Sequence, residues 1–147
     1  MSTFAPHGQY HICVKGRIFH VKCVGAWNQE TMIMYAKESY EHSYKLLGPP
    51  WAMLTDIREW ELATKDSEPL LIRLVASAIK NGLCREAVVN DKGVMKIEQL
   101  NIALPEGSEF ERRFFDNEAS AIEWLEQEGF PYGEQATAYK KSIFNAS

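Results

Sequence analysis

A serine beside an aspartate at a helix start, and an acid, a base and several tryptophans just upstream, are the residues here whose types and spacing could do chemistry. The serine is Ser67, in the run Thr64-Lys65-Asp66-Ser67-Glu68-Pro69. Beyond it Leu70, Leu71, Leu74, Val75, Ala78 and Ile79 recur at helical spacing up to Gly82, which predicts a covering helix with a left-handed glycine stop. Asp66 or Ser67 suits the N-cap of that helix and Pro69 its first turn. A phosphate on Ser67 would meet backbone N–H groups and the positive end of the helix dipole. Ser67 is therefore the candidate regulatory or phosphorylation site.

Asp56, Arg58, Trp60, Thr64 and Asp66 form the candidate ligand or partner surface. They follow the apolar run Trp51-Ala52-Met53-Leu54-Thr55, which predicts a central strand over 51–57 with an exit loop over 58–65. In α/β folds the carboxyl end of such a strand is where working groups gather. Trp27, Trp51 and Trp60 all fall at predicted element ends or in loops. They either close the ends of the sheet or edge an apolar cleft whose polar groups would be Asp56, Arg58 and Thr64.

Other chemistry finds no pattern. The four histidines, His7, His11, His20 and His42, make no helical metal pair. Cys13, Cys23 and Cys84 are odd in number without Cys-x-x-Cys spacing, so they read as reduced core residues, with neither disulfide framework nor zinc site. There is no nucleophile elbow, phosphate-binding glycine loop or dinucleotide fingerprint. No catalytic residue, metal ligand or cofactor is assigned, and an enzyme would have to work from a site without a recognisable motif.

Composition narrows the classes further. The 147 residues are 46% hydrophobic and 24% charged, ordinary for one globular domain with its own core. No apolar run approaches the ~20 residues of a membrane span. A formal charge of -4 with basic residues clustered only in pairs such as Arg112-Arg113 and Lys140-Lys141 argues against nucleic acid. The first eight residues lack a signal peptide's basic start and apolar core, which predicts a short tail on a cytoplasmic protein.

The elements that must position these groups follow from periodicity. Residues 9–14 and 18–24 alternate apolar and polar around Lys15-Gly16-Arg17, a hairpin. Residues 29–47 lack Gly and Pro and carry Met32, Ala36, Tyr40 and Ser43 beside Ile33, Tyr44 and Leu47, a long helix opened by Asn28. Ala87-Val88-Val89 predicts a fourth strand, residues 94–104 a third helix with Ile97 and Leu100 inward, and residues 109–115 a fifth strand with Phe110, Arg112 and Phe114 on one face. Residues 118–128 predict a fourth helix capped from Asp116 or Asn117. The order implies an α/β fold: a mixed, mostly parallel five-stranded sheet opened by an antiparallel hairpin, with helices packed on it. One domain spans the chain, with an extension over 129–147. Tyr139, Ile143 and Phe144 there would expose an apolar stripe unless covered by the body or by a second copy in a homodimer.

This order, with the central Leu54-Thr55-Asp56, the helix ending at Gly82 and the final Phe115-Asp116-Asn117-Glu118-Ala119-Ser120-Ala121-Ile122-Glu123-Trp124-Leu125, resembles the SpoIIAA-like proteins, relatives of the STAS domain of bacterial anti-sigma-factor antagonists. The resemblance covers about residues 9 to 128. It implies a non-enzymatic regulatory or protein-interaction domain of a bacterial cytoplasm with a regulatory protein as partner. In the antagonists a phosphorylatable serine sits in an Asp-Ser-Ser-Gly turn at the start of the helix after the central strand. Here only Asp66-Ser67 matches that turn, no glycine follows, and the turn is longer and Trp-rich. The alternative expectation is a binding protein for a small apolar, lipid-like ligand.

Overall fold

The computed structural model describes residues 7–91, 93–105 and 107–133. The stripe at Tyr139, Ile143 and Phe144 lies outside the described residues. In chain order the elements are β1 (Gln9–Lys15), β2 (Ile18–Trp27), α1 (Gln29–Ser43), β3 (Trp51–Ala63), α2 (Glu68–Lys80), β4 (Leu83–Val89), α3 (Val94–Asn101), β5 (Glu111–Phe115) and α4 (Glu118–Gln127), with 3₁₀ turns at Tyr44–Leu46 and Lys65–Ser67.

The five strands lie in the order β1-β2-β3-β4-β5. β1 and β2 are antiparallel around a two-residue loop in which Gly16 takes φ 64°, and every later pairing is parallel. From β2 onward the order advances in one direction. Right-handed crossovers then put α1, α2 and α3 on the same face of the sheet. Only α4, which follows the last strand, covers the other face. The core accordingly divides in two. Phe19, Val21, Trp51, Ile57, Val88 and Leu100 belong to the three-helix side. Ile18, Ala52, Leu54, Ala87, Val89 and Leu125, all fully or almost fully buried, belong to the α4 side.

Helix starts follow their caps. Asn28 Oδ1 accepts from Thr31 N at the head of α1, and Asn117 Oδ1 accepts from Ser120 N at the head of α4, as Asn does best. Gly82 closes α2 at φ 111° and lies so close to the Trp51 ring that a Cβ would sit 3.0 Å from it.

Several expectations are corrected. β3 runs to Ala63, so Arg58 to Ala63 is strand and not an exit loop. Its alternating Arg58-Glu59-Trp60-Glu61 pairs with the end of β2 through two register shifts, and Gln99 holds its tip by donating to Ala63 O and accepting from Ala63 N. β4 starts at Leu83, four residues before the predicted run. α3 ends at Asn101. The inward stripe of α1 is Thr31, Met32, Tyr35 and Ser39, while Ile33, Tyr40 and Tyr44 face outward. Of the cysteines only Cys23 is buried, and Cys13 is exposed.

Candidate functional site

Three helices laid over one face of a twisted sheet leave a gap between α1, α2 and the strands. The gap is a cavity of about 90 Å³, lined mostly by apolar side chains. One water needs only about 10–15 Å³ on the same measure. Aromatic rings close both ends. Trp27 stands edge-on to Trp60 at 6.2 Å and tilted against Tyr35 at 5.1 Å, its indole N–H directed at Gln9 O and Val24 O. At the opposite end Trp51 packs 6.3 Å from Phe19 and donates to Asn81 O at 2.9 Å. Tyr40, Tyr44 and Leu47, all exposed, edge the cavity where α1 ends.

Its floor is polar. Glu86 of β4 and Arg112 of β5 are register partners, so their side chains leave the same face of the sheet together. Arg112 Nε donates to Glu86 Oε1 at 2.7 Å, and Thr55 Oγ1 donates to Glu86 Oε2 at 2.7 Å. Arg112 Nη1 donates to Leu100 O and to Asn101 Oδ1. The pair is buried, with side chains 1% and 6% exposed for Arg112 and Glu86. Among the described residues they are the only charged side chains on the cavity lining. Burial pushes the Cys23 thiol and the Tyr35 hydroxyl, also on the lining, well above their ordinary pKa values, so both stay neutral.

Among the described residues four buried side-chain polar atoms have no hydrogen-bond partner, and three of them line this cavity: Ser39 Oγ, Trp60 Nε1 and Arg112 Nη2. Native interiors pair such groups almost completely, since an unmet buried donor costs about 1–3 kcal/mol and a charged one more. Three of the four thus gather around one apolar space.

The residues singled out in the sequence fall into three places. Of the candidate surface Trp60 alone lines the cavity, together with Trp27 and Trp51. Asp56, 3% exposed, accepts three hydrogen bonds from Arg58, from its backbone N, Nε and Nη2. Burial raises the Asp56 carboxyl, but the hydrogen bonds and charge of Arg58, with Lys22, outweigh it and hold the group below its ordinary range. This ion pair stands on the α4 side near Glu118 and His20. His20 Nδ1 is 2.9 Å from the Tyr132 hydroxyl, and burial lowers its pKa in spite of Glu118 and Asp56. Thr64, Asp66 and Ser67 cluster at the β3–α2 turn. There the Thr64 hydroxyl donates to Asp66 Oδ1 and is bonded to Ser67 Oγ at 2.8 Å. Ser67 is fully buried and makes no capping bond. The expected N-cap is thus replaced by a 3₁₀ turn that leads directly into α2, with Pro69 in the first turn as predicted. Sequence reasoning missed Thr55, Glu86 and Arg112. The one signal was Arg112 alternating with Phe110 and Phe114, a charge in an apolar row.

A crystal structure of an uncharacterized DUF3478-family protein with a SpoIIAA-like fold, from Shewanella loihica PV-4, superposes with a TM-score of 0.63 over 85% of this chain and 98% of that one, at 18% identity. This chain has the SpoIIAA-like fold. The anti-sigma-factor antagonist SpoIIAA in its unphosphorylated form superposes with a TM-score of 0.52 over 83% of this chain and all of the other, at 8% identity. At these identities the SpoIIAA-like likeness concerns the fold alone. No protein-family model and no curated protein sequence matches the chain.

Proposed function

We propose that this protein is a non-enzymatic binding module that holds a small apolar, lipid-like ligand between α1, α2 and the sheet. The observation that carries this reading is the coincidence of an apolar cavity with unpartnered buried donors on its walls. Apolar walls with a few placed polar groups are the usual composition of a small-molecule site. The present volume suits only a few heavy atoms, so a longer chain would leave through the apolar edge at Tyr40, Tyr44 and Leu47. Trp27, Trp51 and Trp60 line the cavity and Trp124 lies on the other face, so intrinsic fluorescence reports occupancy. Titration with medium-chain ketones, alcohols and fatty acids should give a saturable spectral shift for at least one class. No shift with any of them would overturn the reading.

A second reading is a cytoplasmic regulatory module that binds a partner protein, supported by the fold it shares with an anti-sigma-factor antagonist and by Ser67 at the start of α2. Because Ser67 is fully buried and bonded to Thr64, its phosphorylation would require the 3₁₀ turn to open. Intact-mass analysis of protein from its native host, across growth conditions, should then show a phosphorylated fraction that Ser67→Ala removes. An unmodified mass throughout would contradict it. In the same reading the segment 134–147 contributes to a homodimer, and light scattering should give a monomer mass once it is deleted.

A further inference from the structure

We infer that the cavity selects a neutral ligand whose polar end is a hydrogen-bond acceptor, such as a ketone or ester carbonyl, over a carboxylate on the same chain. This rests on the binding reading above and names the chemistry of the ligand's polar end. Arg112 is 1% exposed, and its donors are accounted for one by one. Nε is spent on Glu86 Oε1, and Nη1 on Leu100 O and Asn101 Oδ1. Nη2 is buried with no partner among the described residues, and so is the indole N–H of Trp60 on the same cavity. A guanidinium or an indole N–H can only donate. What these two groups lack is therefore an acceptor.

Charge decides which acceptor. Glu86 and Arg112 already neutralise each other, with Glu86 held also by Thr55. The remaining titratable groups deep in the cavity, Cys23 and Tyr35, are kept neutral by burial. A carboxylate brought to Nη2 would share one cation with Glu86 and leave a net negative charge out of water, which an apolar site opposes strongly. It would bind instead as the neutral acid, as when two carboxylates crowd one site. A carbonyl oxygen accepts from Nη2 and leaves the floor neutral. An alkylammonium carries only donors and would meet Arg112 Nη2 and Trp60 Nε1, which also only donate.

The test uses the full-length protein and three probes of equal carbon count: methyl heptyl ketone, nonanoate and nonylamine, each titrated by tryptophan fluorescence and calorimetry in mildly alkaline buffer. A hydrogen bond to a charged group is worth enough for a ~10-fold or greater preference. The ketone should bind at least ~10-fold more tightly than nonanoate, and nonylamine least. In mildly acidic buffer nonanoate should tighten while the ketone stays constant. Arg112→Lys keeps a cation beside Glu86 but removes the guanidinium nitrogen in question, and in the folded variant the ketone preference should disappear. If that variant does not fold, the wild-type ranking decides. Nonanoate binding as tightly as the ketone in alkaline buffer, or an unchanged preference in folded Arg112→Lys, would overturn the inference and leave the cavity reading standing. Binding of none of the three would remove both.

Discussion

The two faces of the sheet are built on different terms. The α4 face packs small and branched side chains, among them Ala52, Ala87, Ala121, Leu54, Val89 and Leu125, each fully buried, against the rings of Trp124 and Phe130. The opposite face carries five buried aromatics, Phe19, Trp27, Tyr35, Trp51 and Trp60, a buried ion pair and a cavity. Close packing stabilises a fold and leaves nothing for a ligand to do. An unfilled, partly unsatisfied face gives up some stability, and a ligand that binds the folded state can restore it. One sheet thus sets a closely packed face against a face with a cavity, because all three crossover helices fall on one side.

The sharpest way to break this contrast is at the ion pair. Glu86→Ala should cost about 3–5 kcal/mol in urea denaturation, since Arg112 would stay buried without its counter-charge. The double replacement Glu86→Leu with Arg112→Met should recover most of that loss while ligand binding stays weak. If the double variant binds ketone like the wild type, the pair has no part in recognition.

Next in size is a matched truncation on each face. Leu125→Ala on the α4 side should cost about 3 kcal/mol, the usual price of emptying a dry, well-packed site. Leu74→Ala, half-buried beside the cavity, should cost about 1 kcal/mol less and should loosen the cavity for longer probes. Equal losses at the two positions would erase the difference between the faces.

Caps give a smaller contrast. Asn28 accepts from Thr31 N, from Thr31 Oγ1 and from His7 N, whereas Asn117 accepts only from Ser120 N among the described residues. Asn28→Ala should approach ~2 kcal/mol and Asn117→Ala about 1 kcal/mol, measured by thermal melts.

The smallest effect is the response to acid, and it belongs to the α4 face. His20 and Asp56 both have folded pKa values below their ordinary ones. Each therefore adds stability that is complete above its unfolded value, roughly 6.5 for His and 3.9 for Asp, and is lost as pH falls through the folded value. Denaturation midpoints should drop modestly on acidification below about 6.5 and again below about 4. His20→Gln should remove the first step. A midpoint that rises on mild acidification would reverse the assignment.

How much of this was legible in the sequence depended on distance along the chain. The hairpin, the Asn28 and Asn117 caps, the Gly82 stop and the order of βα units depend on neighbours within a few residues, and their residue types announced them. The second half of β3 was hidden because Arg58-Glu59-Trp60-Glu61 reads as a polar loop until β2 is seen beside it. Asp56, Arg58, Thr64, Asp66 and Ser67 were read as one site, yet the chain sends Asp56, midway along β3, to the α4 side and Ser67 past the carboxyl end of the strand. The floor of the cavity joins residues 26 and 31 positions apart, Arg112 and Thr55 each to Glu86. No local pattern encodes such a meeting. A lone Arg in an apolar alternation was the only trace of it.

The claim that the three-helix face takes a ligand is tested most directly by filling it. Ala78 of α2 lines the cavity, and Ala78→Phe would occupy the space while leaving the floor and the α4 face untouched. Tryptophan fluorescence titrated with methyl heptyl ketone should show saturable binding in the wild type and none in a folded Ala78→Phe variant. Equal binding in both proteins would place the ligand elsewhere and contradict the assignment.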